Sequence, residues 1–232
     1  MMLLGTIVNV IGVLAGGGAG LLLHRLLHKG IPERFSDRIM KGIGLCTVYI
    51  AASSLLEGSK TLVTILSMVL GAIVGELIDL DGKIQKLSRA VEKRFSGGGS
   101  GDNFSRGLLS ATLLFCVGTM AIQGSLDSGL TGDHSILLSK SMMDTIAALI
   151  FASSLGMGVL FSTVPLFLYQ GGITLLAVAA RPYLTAEVIA EMNTVGSLLL
   201  LGLSLDLLDI KHLKLMNYIP AMFFPILLTR FF

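Results

Sequence analysis

SMMDTIAALIFASSLGMGVLFSTVPLFLYQGGITLLAVAA, Ser141 to Ala180, decides the fold. Its forty residues carry one charge, Asp144, and are otherwise apolar, small or weakly polar. As a single helix they would extend about 60 Å, twice the ~30 Å hydrocarbon core of a bilayer. The chain must therefore turn back inside or at the edge of a membrane. The place for the turn is Gly156-Met157-Gly158 through Ser162-Thr163-Val164-Pro165. Two glycines loosen the helix there, and the proline removes a backbone donor and biases Val164 away from helix. Two membrane helices joined by a tight, chargeless turn are expected. One crossing followed by a re-entrant piece is the alternative.

The rest of the chain agrees with a membrane setting. The 232 residues are 53% hydrophobic and 14% charged, with mean hydropathy +0.83. A soluble domain has about a quarter charged residues, so the chain reads as an all-α integral membrane protein. Its long continuous apolar segments exclude a β-barrel, whose strands alternate over about ten residues. Cys46 and Cys116 both lie in apolar segments and read as small buried residues. There is no Cys/His cluster, Walker loop or CxxC, and no Ser/His pair, HExxH or paired catalytic aspartates in the apolar segments. No enzyme, metal, cofactor or nucleic-acid function is therefore expected. The apolar run from Met1 to Leu23 lacks a basic n-region and exceeds a signal core, so it reads as a permanent helix.

Eight crossings are expected. Helix 1 covers Leu3 to Leu26, with Gly12, Gly16 and Gly20 on one face. That bare face suits close helix packing; Gly16-Gly17-Gly18 loosening the helix beside a ligand is the functional alternative. A basic loop and a short interfacial helix from Pro32 to Lys41 precede helix 2, Ile39 to Leu56. Helix 3 runs from Thr61 to Leu80 with a second seam, Ser67, Gly71 and Gly75. An amphipathic basic segment, Lys83 to Phe95, and a flexible linker, Gly97 to Asp102, lead to helix 4, Arg106 to Gly124. Polar and glycine residues begin before its apolar run has ended, so it should unwind within a leaflet. Helix 5 starts near Leu138; helix 6 starts near Thr163 and stops at Arg181-Pro182. A second amphipathic segment, Thr185 to Met192, leads to helix 7, Asn193 to Leu208, and helix 8 follows from Leu213. The expected organisation is one membrane domain: repeat one over 5–80, a cytoplasmic linker over 81–105, central helices over 106–160 and repeat two over 161–232.

Charge sets the orientation. With the Arg25–Lys41 loop in the cytoplasm, thirteen of the seventeen Lys and Arg are inside and Lys60, Lys140, Arg181 and Arg230 are outside. Both termini are then outside. Helices 1–3 and 6–8 follow one plan: glycine-broken helix, short interfacial helix, helix, brief polar loop, helix. The loop after helix 1 is strongly basic, whereas its counterpart carries Arg181, Glu187 and Glu191. The loop after helix 2 is neutral, whereas its counterpart carries Lys211, His212 and Lys214. Opposite charge bias in two like halves is what an inverted-topology repeat requires.

Several stretches resemble the YqgA/YdfK-like family of uncharacterised bacterial polytopic membrane proteins. They are GTIVN (Gly5–Asn9), GELIDLDG (Gly75–Gly82), LLFCVGTMAIQGSLDSGLTGDHSILLSKS (Leu113–Ser141), FASSLGMGV, LYQGGITLLA and IAEMNTVG. The resemblance covers nearly the whole chain. It implies a multi-pass inner-membrane protein and supplies no substrate.

The residues that would carry function are polar groups inside apolar segments. Asn9, Gln170 and Asn193 are amides in helices 1, 6 and 7; Thr119 and Gln123 lie where helix 4 breaks, and Gly171 follows Gln170. Interhelical glue, worth about 0.6 kcal/mol each, is the plain reading. The sharper one is a solute site, because Asn9, Gln123 and Gln170 each lie beside helix-breaking glycines and could converge on one cavity. Asp144 is either the partner of Lys140 in a helix-end ion pair or an intramembrane carboxylate that couples a cation or proton. Two functions follow: a secondary transporter or channel for a small polar solute or ion, or a non-transporting scaffold or sensor. Besides the lipid bilayer, the expected partner is a second copy, docked through Gly12, Gly16 and Gly20 or through Ser67, Gly71 and Gly75.

Overall fold

A computed structural model of the chain describes residues 2–27, 33–86 and 101–231. These form α1 (Leu4–Leu27), α2 (Glu33–Ser54), α3 (Thr61–Ile78), α4 (Gly101–Cys116), α5 (Thr119–Leu130), α6 (Ser135–Leu155), α7 (Gly158–Phe161), α8 (Thr163–Leu175), α9 (Ala177–Ala180) and α10 (Ala186–Leu207). A 3₁₀ helix, Leu215–Phe223, and α11, Pro225–Leu228, close the chain. No strand occurs among the described residues. The loop before Pro32, most of the basic segment Lys83–Phe95 and linker residues 97–100 lie outside them.

Five helical segments have the length and apolarity of a membrane span: Leu4–Leu23, Thr61–Ile78, Ser135–Leu155, Gly158–Leu175 and Ala186–Leu207. The pair Phe104–Cys116 and Met120–Leu130, bent by 59°, makes a sixth if it is one broken span. Two of the eight expected crossings do not meet that measure. α2 carries Glu33, Arg34, Asp37, Arg38 and Lys41 in its first half, and Leu215–Leu228 is short and begins as a 3₁₀ helix around Pro220. Large apolar side chains cover the outside: Leu62, Ile65, Val69, Ile73 and Leu77 form one exposed row along α3, and Met142, Met143 and Ile146 another on α6. Rows of that extent face lipid rather than water.

Element boundaries differ from the expected ones in a consistent way. Each short amphipathic segment is continuous with the apolar helix after it, giving α2 and α10, both of 22 residues. No glycine or proline stands at Ile39 or Asn193 to separate them, so the helix simply continues. Helix 4 breaks earlier than expected, at Val117-Gly118, and resumes as α5 through the polar stretch. Gly118 has φ +126, a conformation that a side chain disfavours. The turn in the forty-residue stretch falls at Gly156, φ +74, and Pro165 takes the third position of α8, inside the first turn where its missing N–H costs nothing.

The helices cluster into two compact units, 1–39 with 102–182 and 40–101 with 183–232. Each unit draws helices from both ends of the chain. In the first, α1 runs beside α6 in the same direction. Gly12 faces Ser141 and Thr145, Gly16 the Thr145 backbone, and Gly20 the Leu149 carbonyl and Ala152. A β-carbon on Gly16 would overlap the Thr145 carbonyl oxygen. In the second, Gly71 meets Ala221 and Gly75 meets the Asn217 carbonyl, so α3 lies directly on the 3₁₀ helix. Both small-residue seams are thus packed within the chain.

Candidate functional site

The close approach of α1 and α6 builds a polar cluster inside the first unit. Asn9 precedes Gly12 by one turn, so the side that lacks β-carbons also presents an amide. On α6, Lys140 and Asp144 are one turn apart and face the same way. Asn9 Nδ2 donates to Asp144 Oδ2 at 3.0 Å and to Gln170 Oε1 of α8 at 3.2 Å. Lys140 Nζ lies 2.9 Å from Asp144 Oδ1 and 2.8 Å from Oδ2. Ser141 Oγ donates to the Val8 carbonyl at 3.1 Å, tying the helices together beside the cluster. All four members are buried: Asn9 and Gln170 are 0% exposed, Asp144 5% and Lys140 6%.

Counting hydrogen-bond valences shows what the cluster leaves open. Both hydrogens of Asn9 Nδ2 are used, and they fix the orientation of both amides, because the reverse would set oxygen against oxygen. That leaves Asn9 Oδ1, an acceptor, and Gln170 Nε2, with two donors, buried and without a partner among the described residues. Thr6 Oγ1, one turn before Asn9, and Thr174 Oγ1, one turn after Gln170, are buried and unpartnered too. Unpaired buried polar atoms cost about 1–3 kcal/mol each, a cost that water or a polar solute beside these four would remove. The ion pair is neutral in sum. The open groups therefore suit a neutral or zwitterionic molecule bearing an acceptor and a donor.

The other expected site residues fall elsewhere. Gly171 is buried next to Gln170, with Leu3 Cδ2 3.7 Å from where its β-carbon would be. Gln123 is exposed on α5, and Thr119 opens α5 with its side chain outside the described set. Asn193 belongs to the second unit, where its Nδ2 donates to Glu57 Oε2 at 2.9 Å. Beside it is Glu191, 1% exposed, which the sequence shows only as a loop charge. Its Oε1 accepts the Ser59 and Lys60 amides, both at 2.7 Å, and its Oε2 the Thr64 hydroxyl at 3.3 Å. It caps the N-terminus of α3 from another helix, and its charge suits that end of the helix dipole.

A family model described as protein of unknown function (DUF554) matches residues 4–230. The uncharacterized membrane protein YdfK of Bacillus subtilis (strain 168) is 31% identical over 225 residues, which is 95% of this chain and 93% of that protein. The uncharacterized protein YqgA of Escherichia coli (strain K12) is 31% identical over 228 residues, 95% of this chain and 94% of that one. No solved structure matches.

Proposed function

The chain belongs to the DUF554 family, whose function is unknown, and from that premise we propose that it is a secondary transporter of a small polar solute or ion across the bacterial inner membrane. One observation carries the reading: a buried amide pair, Asn9 and Gln170, is held against a neutral Lys140–Asp144 pair while one acceptor and two donors stay open. A scaffold or sensor needs polar atoms between helices only as glue, and glue is paired. Asn9 and Gln170 bind the solute in this reading. Asp144 couples a proton or cation, with Lys140 as the resident counter-charge that gives way when the carboxylate is neutralised.

Eight crossings, external termini and an inverted repeat belong to the same proposal. Supporting it, contacts within each unit join ends that the charge pattern puts on one side. Ser128 Oγ donates to the Met2 carbonyl and lies 2.7 Å from His134 Nδ1, all assigned outside. Lys60 pairs with Glu187 at 2.8 Å, again outside, and Asn217 Nδ2 donates to Glu76 Oε2 at 2.6 Å on the inside. The equal lengths of α2 and α10 and their like position in each half add to this. The glycine seams, the faces expected to join two copies, are packed within the chain, so the homodimer that is also proposed would use another face; the mass of the purified protein in a bilayer mimetic tests it. A solute-uptake screen in proteoliposomes tests transport. Neutral and zwitterionic solutes should accumulate or exchange, and Asn9→Ala and Gln170→Ala should abolish this while membrane insertion is unchanged. Failure of every solute class to move would leave the scaffold reading in its place.

A further inference from the structure

The second unit carries a cleft that the transport reading does not use. It is an open groove of about 620 Å³ between the last turns of α3 and the segment entering the 3₁₀ helix, inside the ~300–1,000 Å³ range of small-molecule sites. Its lining is graded along α3. Ile73 is apolar and exposed and continues the row Val69, Ile65 and Leu62 back along the helix, while Leu77 flanks Glu76. Glu76, His212 and Lys214 give the other end its charge. Asn217 holds Glu76 through Oε2 at 2.6 Å, while Oε1 takes no hydrogen bond among the described residues. His212 is engaged by Asp206, so the exposed Lys214 is the cation left to the cleft.

We propose that this cleft seats an aminophospholipid, with its primary ammonium on Glu76, its phosphate on Lys214 and an acyl chain along the Ile73–Leu62 face of α3. The arrangement is amphipathic in the way a lipid is: an apolar track about four turns long ends in a carboxylate and an ammonium. An anionic headgroup fits less well, because Asp79 and Asp81 follow Glu76 at the end of α3 and would repel a second negative charge. A choline headgroup supplies the positive charge without an N–H to donate, so it forgoes the charge-assisted hydrogen bond to Glu76. The site is independent of the Asn9–Asp144 cluster, which lies in the first unit.

The test uses the full chain in mild detergent, titrated with phosphatidylethanolamine, phosphatidylcholine and phosphatidylglycerol of matched acyl chains and read by native mass spectrometry. Phosphatidylethanolamine should bind about tenfold more tightly than phosphatidylcholine, the equivalent of one charge-assisted hydrogen bond, and more tightly than phosphatidylglycerol. Glu76→Gln retains an acceptor for Asn217, so it should fold as the parent does and bring the ethanolamine-to-choline ratio near one. Lys214→Gln, at an exposed position, should weaken both lipids alike. Equal binding of the three lipids, preference for phosphatidylglycerol, or an unchanged ratio in Glu76→Gln overturns the assignment.

Discussion

Removing the charge of Lys140 distinguishes two descriptions of the cluster by about tenfold in energy. As an exposed pair one helical turn apart, Lys140 and Asp144 would contribute about 0.3–0.5 kcal/mol. Here the ammonium lies 2.8 and 2.9 Å from the two carboxylate oxygens, and the side chains keep only 8% and 7% of their exposure. Asn9 adds a third bond at 3.0 Å. Taking one partner from such a buried pair leaves an uncompensated charge and costs about 3–5 kcal/mol. Lys140→Met should therefore destabilise the protein by about that much, and Asp144→Asn by a similar amount. The double variant removes both charges and should cost less than either single variant, a coupling of more than about 3 kcal/mol in a double-mutant cycle. Unfolding in mixed micelles with rising SDS, followed by circular dichroism, measures all four proteins. Single variants that each cost under about 1 kcal/mol and add without coupling would refute the buried pair, since that is how exposed charges behave.

Packing, pH and topology give further tests. Gly16→Ala sets a β-carbon on the Thr145 carbonyl, which is backbone and cannot swing away, so it should cost about 1–3 kcal/mol in the same assay. Gly18→Ala meets nothing within 4 Å and should stay within about 0.5 kcal/mol of the parent. In the loop between α5 and α6, the hydroxyl and amide of Ser135 hold the Asp133 carboxyl below the usual aspartate range. Its contribution to stability is therefore complete above about pH 4 and lost as pH falls through the lowered value. Asp133→Asn should flatten that part of the acid limb, read as unfolding midpoints across about pH 2–5. A reporter fused after Phe232 should be active only if it functions outside the cytoplasm; cytoplasmic activity would overturn the eight-crossing topology and with it the inverted repeat.

What the sequence made legible was local. Forty nearly chargeless residues forced a turn, and the glycines there supplied it at Gly156. The seams at Gly12, Gly16 and Gly20 and at Ser67, Gly71 and Gly75 marked the faces that now touch α6 and the 3₁₀ helix. Asn9, Gln170 and Asp144 stood out because polar groups in apolar helices are few, and the fold brings those three together. Illegible parts depend on partners far along the chain. Lys140 looked like a helix-end charge because nothing local tells that α1, more than a hundred residues earlier, covers it. Glu191 looked like a loop charge because its partners are backbone amides at Ser59 and Lys60, which carry no side-chain signature. Gln123 and Gln170 are both amides near glycine, and only packing makes one exposed and the other buried. The amphipathic segments that start near Glu33 and Ala186 read as separate from the apolar helices after them, because a change from amphipathic to apolar pattern looks like a boundary but is not a break in the backbone.

Whether Gln170 faces a path for solute or a sealed helix contact can be measured without knowing the solute. Gln170→Cys and Leu166→Cys, in a background with Cys46 and Cys116 replaced by alanine, place a thiol at two fully buried positions one turn apart on α8. The protein is reconstituted in vesicles and treated with a small, charged, membrane-impermeant thiol reagent. A water-filled binding site predicts that Gln170→Cys is modified readily, that Leu166→Cys resists, and that Asp144→Asn alters the rate at the first position only. Equal resistance at both positions would contradict the account, because it would make Asn9 and Gln170 a packed contact between helices and nothing more.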